Sequence, residues 1–185
     1  LVLWGMTPTG IRGQEAGATV VVLPGQSLAD ALAAAPEGAR VVVQGGVHTE
    51  TPYRIERPVI LEGRDGATLD AGGEGSVLLV TADHVTVRGL ILRNSGVSYV
   101  RDQAGLEVEG AWHCLCEELV LEENFFGIHM AKVQDCRVRR NRLRASGTRE
   151  ATSGNGIHAW DSDRLVIEDN DVEGHRDGLY LEFVR

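Results

Sequence analysis

A glycine motif that returns at nearly constant spacing limits what this chain can fold into. Gly105-Leu106-Glu107-Val108, Gly127-Ile128-His129-Met130, Gly156-Ile157-His158-Ala159 and Gly178-Leu179-Tyr180-Leu181 begin 22, 29 and 22 residues apart. A period of 22 with one insertion accounts for all four. Between them run Glu118 to Asn124, Cys136 to Asn141 and Arg164 to Asn170, alternating aliphatic with polar residues and ending on asparagine, with His84 to Asn94 as an earlier relative. Alternation over three to five positions is the pattern of a half-buried strand and is too short for a helix. Strands that short cannot bury a face alone, so successive turns of one coil must stack on each other. The sequence predicts an all-β solenoid, a parallel β-helix.

Composition agrees with this reading. Among 185 residues there are 23 Gly and 5 Pro, and aromatics make up 5%, as expected of tight corners around a core of small aliphatic side chains. Ser146 to Gly154 is the inserted stretch, with the polar composition of a flexible loop. Asn94, Asn124, Asn141 and Asn170 follow strands, and read either as independent turn residues or as one stacked ladder of amides.

The front of the chain supplies a start for the coil. After the apolar strand Thr19 to Leu23, Ser27 caps a helix over Leu28 to Ala35 with Asp30 three residues on, and Pro36-Glu37-Gly38 stops it. Such a helix can cover the first turn's apolar residues. Residues 1–18 read as a disordered leader or the remnant of a signal peptide, and residues 19–185 as one β-helix domain. The other end carries Leu179, Leu181 and Phe183 with no cap, so the domain is expected to be incomplete there and to continue in further turns.

The formal charge of −9 argues against nucleic acid as a partner. No stretch approaches the roughly 20 apolar residues of a membrane-spanning helix. Three cysteines cannot all pair within the chain, so at most one bridge forms. If Ile128 and Ile157 point inward, the next residues point outward and Glu107, His129, His158 and Tyr180 form one external column. His129 and His158, one turn apart, then suit a two-coordinate soft cation such as Cu(I), bound transiently, with Met130 or Cys114 as soft neighbours; the other reading is two solvated surface histidines. Cys114 and Cys116 share one side of a strand and read as a soft-metal pair or, preferably, as small core hydrophobes. Gly105 to Asn124 spans 19 residues against 14 in the next two repeats, which reads as an exposed loop inserted around Trp112 to Cys114. Cys136 aligns with Leu119 and Leu165 at an inward position. Asp161 and Asp163 near Trp160 are candidates for sugar chemistry, with local turn bonding the stronger reading. His175-Arg176-Asp177-Gly178 is a compact polar corner, either an ion pair or a recognition surface.

Asn155 to Trp160, Leu165 to Asn170 and Gly174 to Phe183 resemble the NosD family, as do Ser27 to Asp70, Val85 to Asn94 and Phe126 to His129. The resemblance covers about residues 19–185 and only the front of a family member. It implies a right-handed, single-stranded, pectin-lyase-like solenoid. It further implies a non-enzymatic periplasmic accessory protein for maturation of nitrous oxide reductase. That role is to supply copper to the reductase together with the membrane and ATPase subunits of an ABC-type transporter and a copper chaperone. The alternative is a carbohydrate-active β-helix: a polysaccharide lyase, a hydrolase or a glycan-binding module.

Overall fold

The computed structural model describes residues 17–98, 100–146 and 154–185. The expected leader lies almost wholly outside them, although Ala18 already accepts a hydrogen bond from the Arg40 N–H (2.9 Å). The chain enters on β1 (Thr19–Val22) and continues through α1 (Leu28–Ala34) into six coils of three strands each. The first coil is β2 (Ala39–Val43), β3 (Val47–His48) and β4 (Tyr53–Ile55), and the second is β5 (Val59–Gly63), β6 (Thr68–Asp70) and β7 (Leu78–Val80). The third and fourth are β8 (Thr86–Arg88), β9 (Ile91–Arg93), β10 (Ala104–Glu109) and β11 (Leu115–Glu117), β12 (Val120–Glu122), β13 (Phe126–Ala131). The fifth and sixth are β14 (Arg137–Arg139), β15 (Arg142–Arg144), β16 (Ile157–Trp160) and β17 (Val166–Glu168), β18 (Asp171–Glu173), β19 (Leu179–Glu182).

Every third strand hydrogen-bonds to the next in parallel, which builds three sheets. Sheet A holds β1, β2, β5, β8, β11, β14 and β17 in that order; sheet B runs from β3 to β18 and sheet C from β4 to β19. The predicted solenoid is the observed fold. The helix forms because the Ser27 hydroxyl accepts the Asp30 N–H (3.1 Å) and closes the first turn. It buries Leu28 and Leu32 and packs against β1, β2 and β4 at the start of the coil.

Inside, aliphatic side chains stack in vertical columns. Val41, Leu61, Val87, Cys116 and Val138 form one such column in sheet A, all buried. Outside, the same alternation produces ladders of opposite charge. Glu62, Arg88, Glu117, Arg139 and Glu168 succeed one another on sheet A, and Asp70, Arg93, Glu122, Arg144 and Glu173 on sheet B. Arg88 donates to Glu62 at 2.6 Å, Arg139 to Glu117 at 2.9 Å and Arg93 to Asp70 at 2.8 Å. Opposite charges in adjacent coils favour the native register, since a slip of one coil sets like charge over like.

Three readings of the sequence need correction. The segment carrying Cys114 holds no extra residues: Leu119, not Asn124, shares a level with Asn141 and Asn170, because Val120 pairs with Arg142 and Arg142 with Asp171. The backbone around Trp112 to Cys114 is therefore a regular corner, with Trp112 exposed and Cys114 buried. Cys136 points inward as expected, but it sits one coil above Cys114, since Leu115 pairs with Arg137. The asparagines do not form one ladder. Asn141 and Asn170 stack at the corner between sheets A and B, with Asn141 Nδ2 donating to Asn170 Oδ1 (2.9 Å). Asn124 works at the next corner, accepting from the Ser95 N–H (3.0 Å), and Asn94 takes a positive φ of 57° and donates to Asp70. Most of the inserted loop, residues 147–153, lies outside the described residues.

Candidate binding groove on sheet C

Sheet C differs from its neighbours in what it shows to solvent. Its outer column reads Arg54, Leu79, Glu107, His129, His158 and Tyr180. These residues do not alternate in charge. The strands begin where the chain turns out of sheet B, and there the connection in the third coil forms a strap, described at residues 95–98 and 100–103. Two backbone N–H groups, of Val100 and Arg101, donate to the Ser98 hydroxyl (3.2 and 3.0 Å) and turn the strap back toward the sheet. Between strap and sheet lies a groove of about 740 Å³, lined among others by Arg54, Arg101, Asp102, Glu107, His129 and Trp160.

The predicted column of Glu107, His129, His158 and Tyr180 is therefore present in register. The His129 and His158 rings meet edge to face with centroids 5.1 Å apart, and His158 meets Tyr180 in the same way at 5.1 Å. Phe126 closes the side of both imidazoles, at 5.6 and 5.4 Å. His129 is only 5% exposed, and its Nε2 lies 3.8 Å from an Asp102 carboxylate oxygen on the strap. His129 Nδ1 and both nitrogens of His158 are buried without a hydrogen-bond partner. A buried polar atom without a partner is costly, so these nitrogens are poised to take one from a ligand.

Met130 and Cys114 do not join them. Met130 follows His129 on β13 and so projects from the opposite face, into the core, where it is fully buried; Cys114 is likewise interior. Among the described residues no three His, Cys, Asp or Glu side chains converge to hold a metal. The imidazole pair is what the sheet brings together. Asp161 and Asp163 sit at the corner after sheet C and do not line the groove; Asp163 pairs with Arg164 at 2.5 Å. In the His175 corner, Arg176 pairs with Asp177 (3.2 Å) and donates to Asn155 Oδ1 (3.1 Å).

Burial sets the protonation of the groove. It pushes the His129 and His158 imidazoles below their ordinary value of 6.5, and the Asp102 charge only partly opposes this. Both rings therefore present neutral nitrogens at neutral pH. Burial likewise raises the Glu107 carboxyl, against a 2.6 Å hydrogen bond donated by Ser76 Oγ. A lowered folded-state histidine pKa stabilises above the unfolded value of about 6.5 and loses that contribution as pH falls through the folded one. The thermal midpoint should accordingly drop between pH 7 and 5, and drop less steeply in the His129→Gln/His158→Gln variant. Parallel curves would show that neither ring is held neutral. Ser76 and Asp102, which set the electrostatics here, carry no repeat signal because both lie on corners that differ from coil to coil.

Residues 75–184 match the family described as right handed beta helix region, and the chain belongs to that family. It is also NosD-like. It is 32% identical over 128 residues to a Pseudomonas aeruginosa protein named "Probable ABC transporter binding protein NosD". That match covers 68% of this chain and 30% of the relative. A protein of the same name from Stutzerimonas stutzeri is 29% identical over 128 residues, covering 68% and 29%. The chain thus spans under a third of these curated relatives. Among solved structures, the alginate lyase of Paenibacillus sp. str. FPU-7 superposes with a TM-score of 0.73 at 18% identity, over 90% of this chain and 65% of that one. That likeness concerns the fold.

Proposed function

We propose that this chain is the β-helix of a non-enzymatic periplasmic accessory protein that works with an ABC-type transporter. It takes part in passing copper from a chaperone toward nitrous oxide reductase. The name carried by the two NosD relatives supports the transporter association. Copper handling is supported by one observation, the pair of neutral, unpartnered imidazoles His129 and His158 on adjacent strands beneath the strap. Cu(I) is the cargo that fits, since a soft d¹⁰ ion accepts two nitrogen donors where other first-row ions seek three or more. A two-donor site that opens on a groove can also release its ion to a partner.

Titrating the reduced protein with Cu(I) against a coloured chelator tests this. One equivalent should bind, and His129→Ala/His158→Ala should weaken it by at least roughly 100-fold. Met130→Leu should leave it unchanged, because that side chain faces the core. Equal affinity in the double variant overturns the site, and release of oligosaccharides from polyuronates overturns the non-enzymatic role.

A further inference from the structure

The three cysteines lie outside the groove, and their placement distinguishes among the pairs the sequence allowed. Cys114 lies just before β11 and Cys116 on it, two residues on along extended chain, where same-side side chains stand about 6.6 Å apart and do not converge. Cys116 has Val87 below it and Val138 above. Cys136 is different. It precedes Arg137 as Cys114 precedes Leu115, and those two residues are paired, so Cys136 stands directly over Cys114. The Cys114 N–H donates to Cys136 Sγ at 3.3 Å. Both thiols are buried and free, 3% and 1% exposed. Neighbouring strands bring such residues to about 4.8 Å between Cα atoms, inside the range of 4.4–6.8 Å that a disulfide spans.

We infer that Cys114 and Cys136 form a disulfide stapling the third coil-to-coil corner to the fourth when the chain folds in the presence of a disulfide oxidant. The two thiols give up two protons and two electrons, one S–S bond forms, and the oxidant's disulfide is cleaved to two thiols. The pair is chemically asymmetric. In the folded chain, contact with Cys114 makes the Cys136 thiol easier to ionise while raising that of Cys114. Burial and the nearby Cys136 raise the Cys116 thiol, which stays reduced. Because both sulfurs are interior, closure accompanies folding. This inference rests on the cysteine column alone and stands apart from copper binding.

The full chain is refolded in a reduced and oxidised glutathione buffer, denatured, alkylated and mapped by mass spectrometry. Label should appear on Cys116 only, with one cross-linked peptide joining Cys114 to Cys136. Adding a reductant to the folded protein should lower the thermal midpoint by roughly 6–12 °C, since the bridge closes a loop of 22 residues. Cys136→Ala should yield no bridge and no reductant-dependent midpoint. Cys116→Ala should keep both, and it serves as the test if Cys136→Ala fails to fold. Three labelled cysteines, a bridge that includes Cys116, or a bridge between two chains would each overturn the inference.

Discussion

Gly127→Ala should unfold this domain at temperatures where the native protein is intact, lowering its stability by about 3 kcal/mol or more in urea titrations followed by circular dichroism. The cause is space rather than backbone conformation. A Cβ on Gly127 would sit 2.5 Å from the Gly156 carbonyl oxygen in the coil above, and would strike Leu143 as well. A side-chain tip can rotate away, but a carbonyl inside a ladder of parallel strands cannot move without opening that ladder. The repeated glycine is therefore the contact point between coils, which is why it recurs with the period of the solenoid. Gly105→Ala provides the comparison. It occupies the same motif position one coil earlier, and a Cβ there meets side chains rather than a carbonyl, Asn124 at 2.7 Å and Leu121 at 2.9 Å. Its cost should be smaller than that of Gly127→Ala, because side chains can shift. Equal effects of the two substitutions would show that the carbonyl contact does not set the penalty. Gly127 also lies two residues before His129 on β13, so a chain that tolerated the alanine should still lose the alignment of His129 with His158.

The solenoid was legible because its physics is periodic. Each coil must place an aliphatic residue inward at the same height, so Leu106, Ile128, Ile157 and Leu179 announce sheet C, and the residues that follow them announce its outer column. The capping helix was legible for a local reason, the Ser27 to Asp30 hydrogen bond. What stayed hidden lies where coils differ. Leu119 fills a corner position held by asparagine in the next two coils, and this substitution shifted the alignment by one corner and suggested a loop that does not exist. The strap that brings Asp102 to His129 is an irregular connection whose length and sequence are not set by the repeat. Met130 reads as a ligand only if the alternation is ignored, since the pleat that puts His129 outside puts its neighbour inside.

The electrostatic contrast between sheets gives the groove its meaning. On sheets A and B the charged columns are neutralised between neighbours, as where Glu62 faces Arg40, Arg64 and Arg88 and lies below its ordinary carboxylate range through the Arg88 hydrogen bond. Such faces have little left to offer a ligand. On sheet C burial and the strap leave two adjacent imidazoles neutral and unpartnered, a costly arrangement that single buried groups at His48, Asn155 and His175 share without lining the groove. Two such rings side by side on the floor of a groove mark a place where binding can contribute.

Asn141→Ala should be the second severe substitution, costing about 3 kcal/mol by the same denaturation measurement. Asn141 is 2% exposed and reaches down to the coil beneath it. Its Oδ1 accepts the Leu119 N–H at 3.0 Å, in the turn between sheets A and B, and its Nδ2 donates to the Cys116 carbonyl on β11 at 3.1 Å. Asn170 repeats the arrangement one coil higher, taking the Asn141 N–H at 3.0 Å and donating to Val138 at 3.0 Å. Alanine at 141 removes the side-chain acceptor of the buried Leu119 N–H and a donor to the Cys116 carbonyl. Asn141→Asp separates the two bonds. It keeps the acceptor for Leu119 but turns a carboxylate toward the Cys116 carbonyl and the Asn170 amide oxygen. The introduced acid should therefore have a raised pKa in the folded state, so its cost should be largest at neutral pH and shrink as the pH falls and the carboxyl gains a proton to donate. A loss under about 0.5 kcal/mol for alanine, or a pH-independent effect for aspartate, would reduce these asparagines to ordinary turn residues and leave the coil-to-coil closure unexplained.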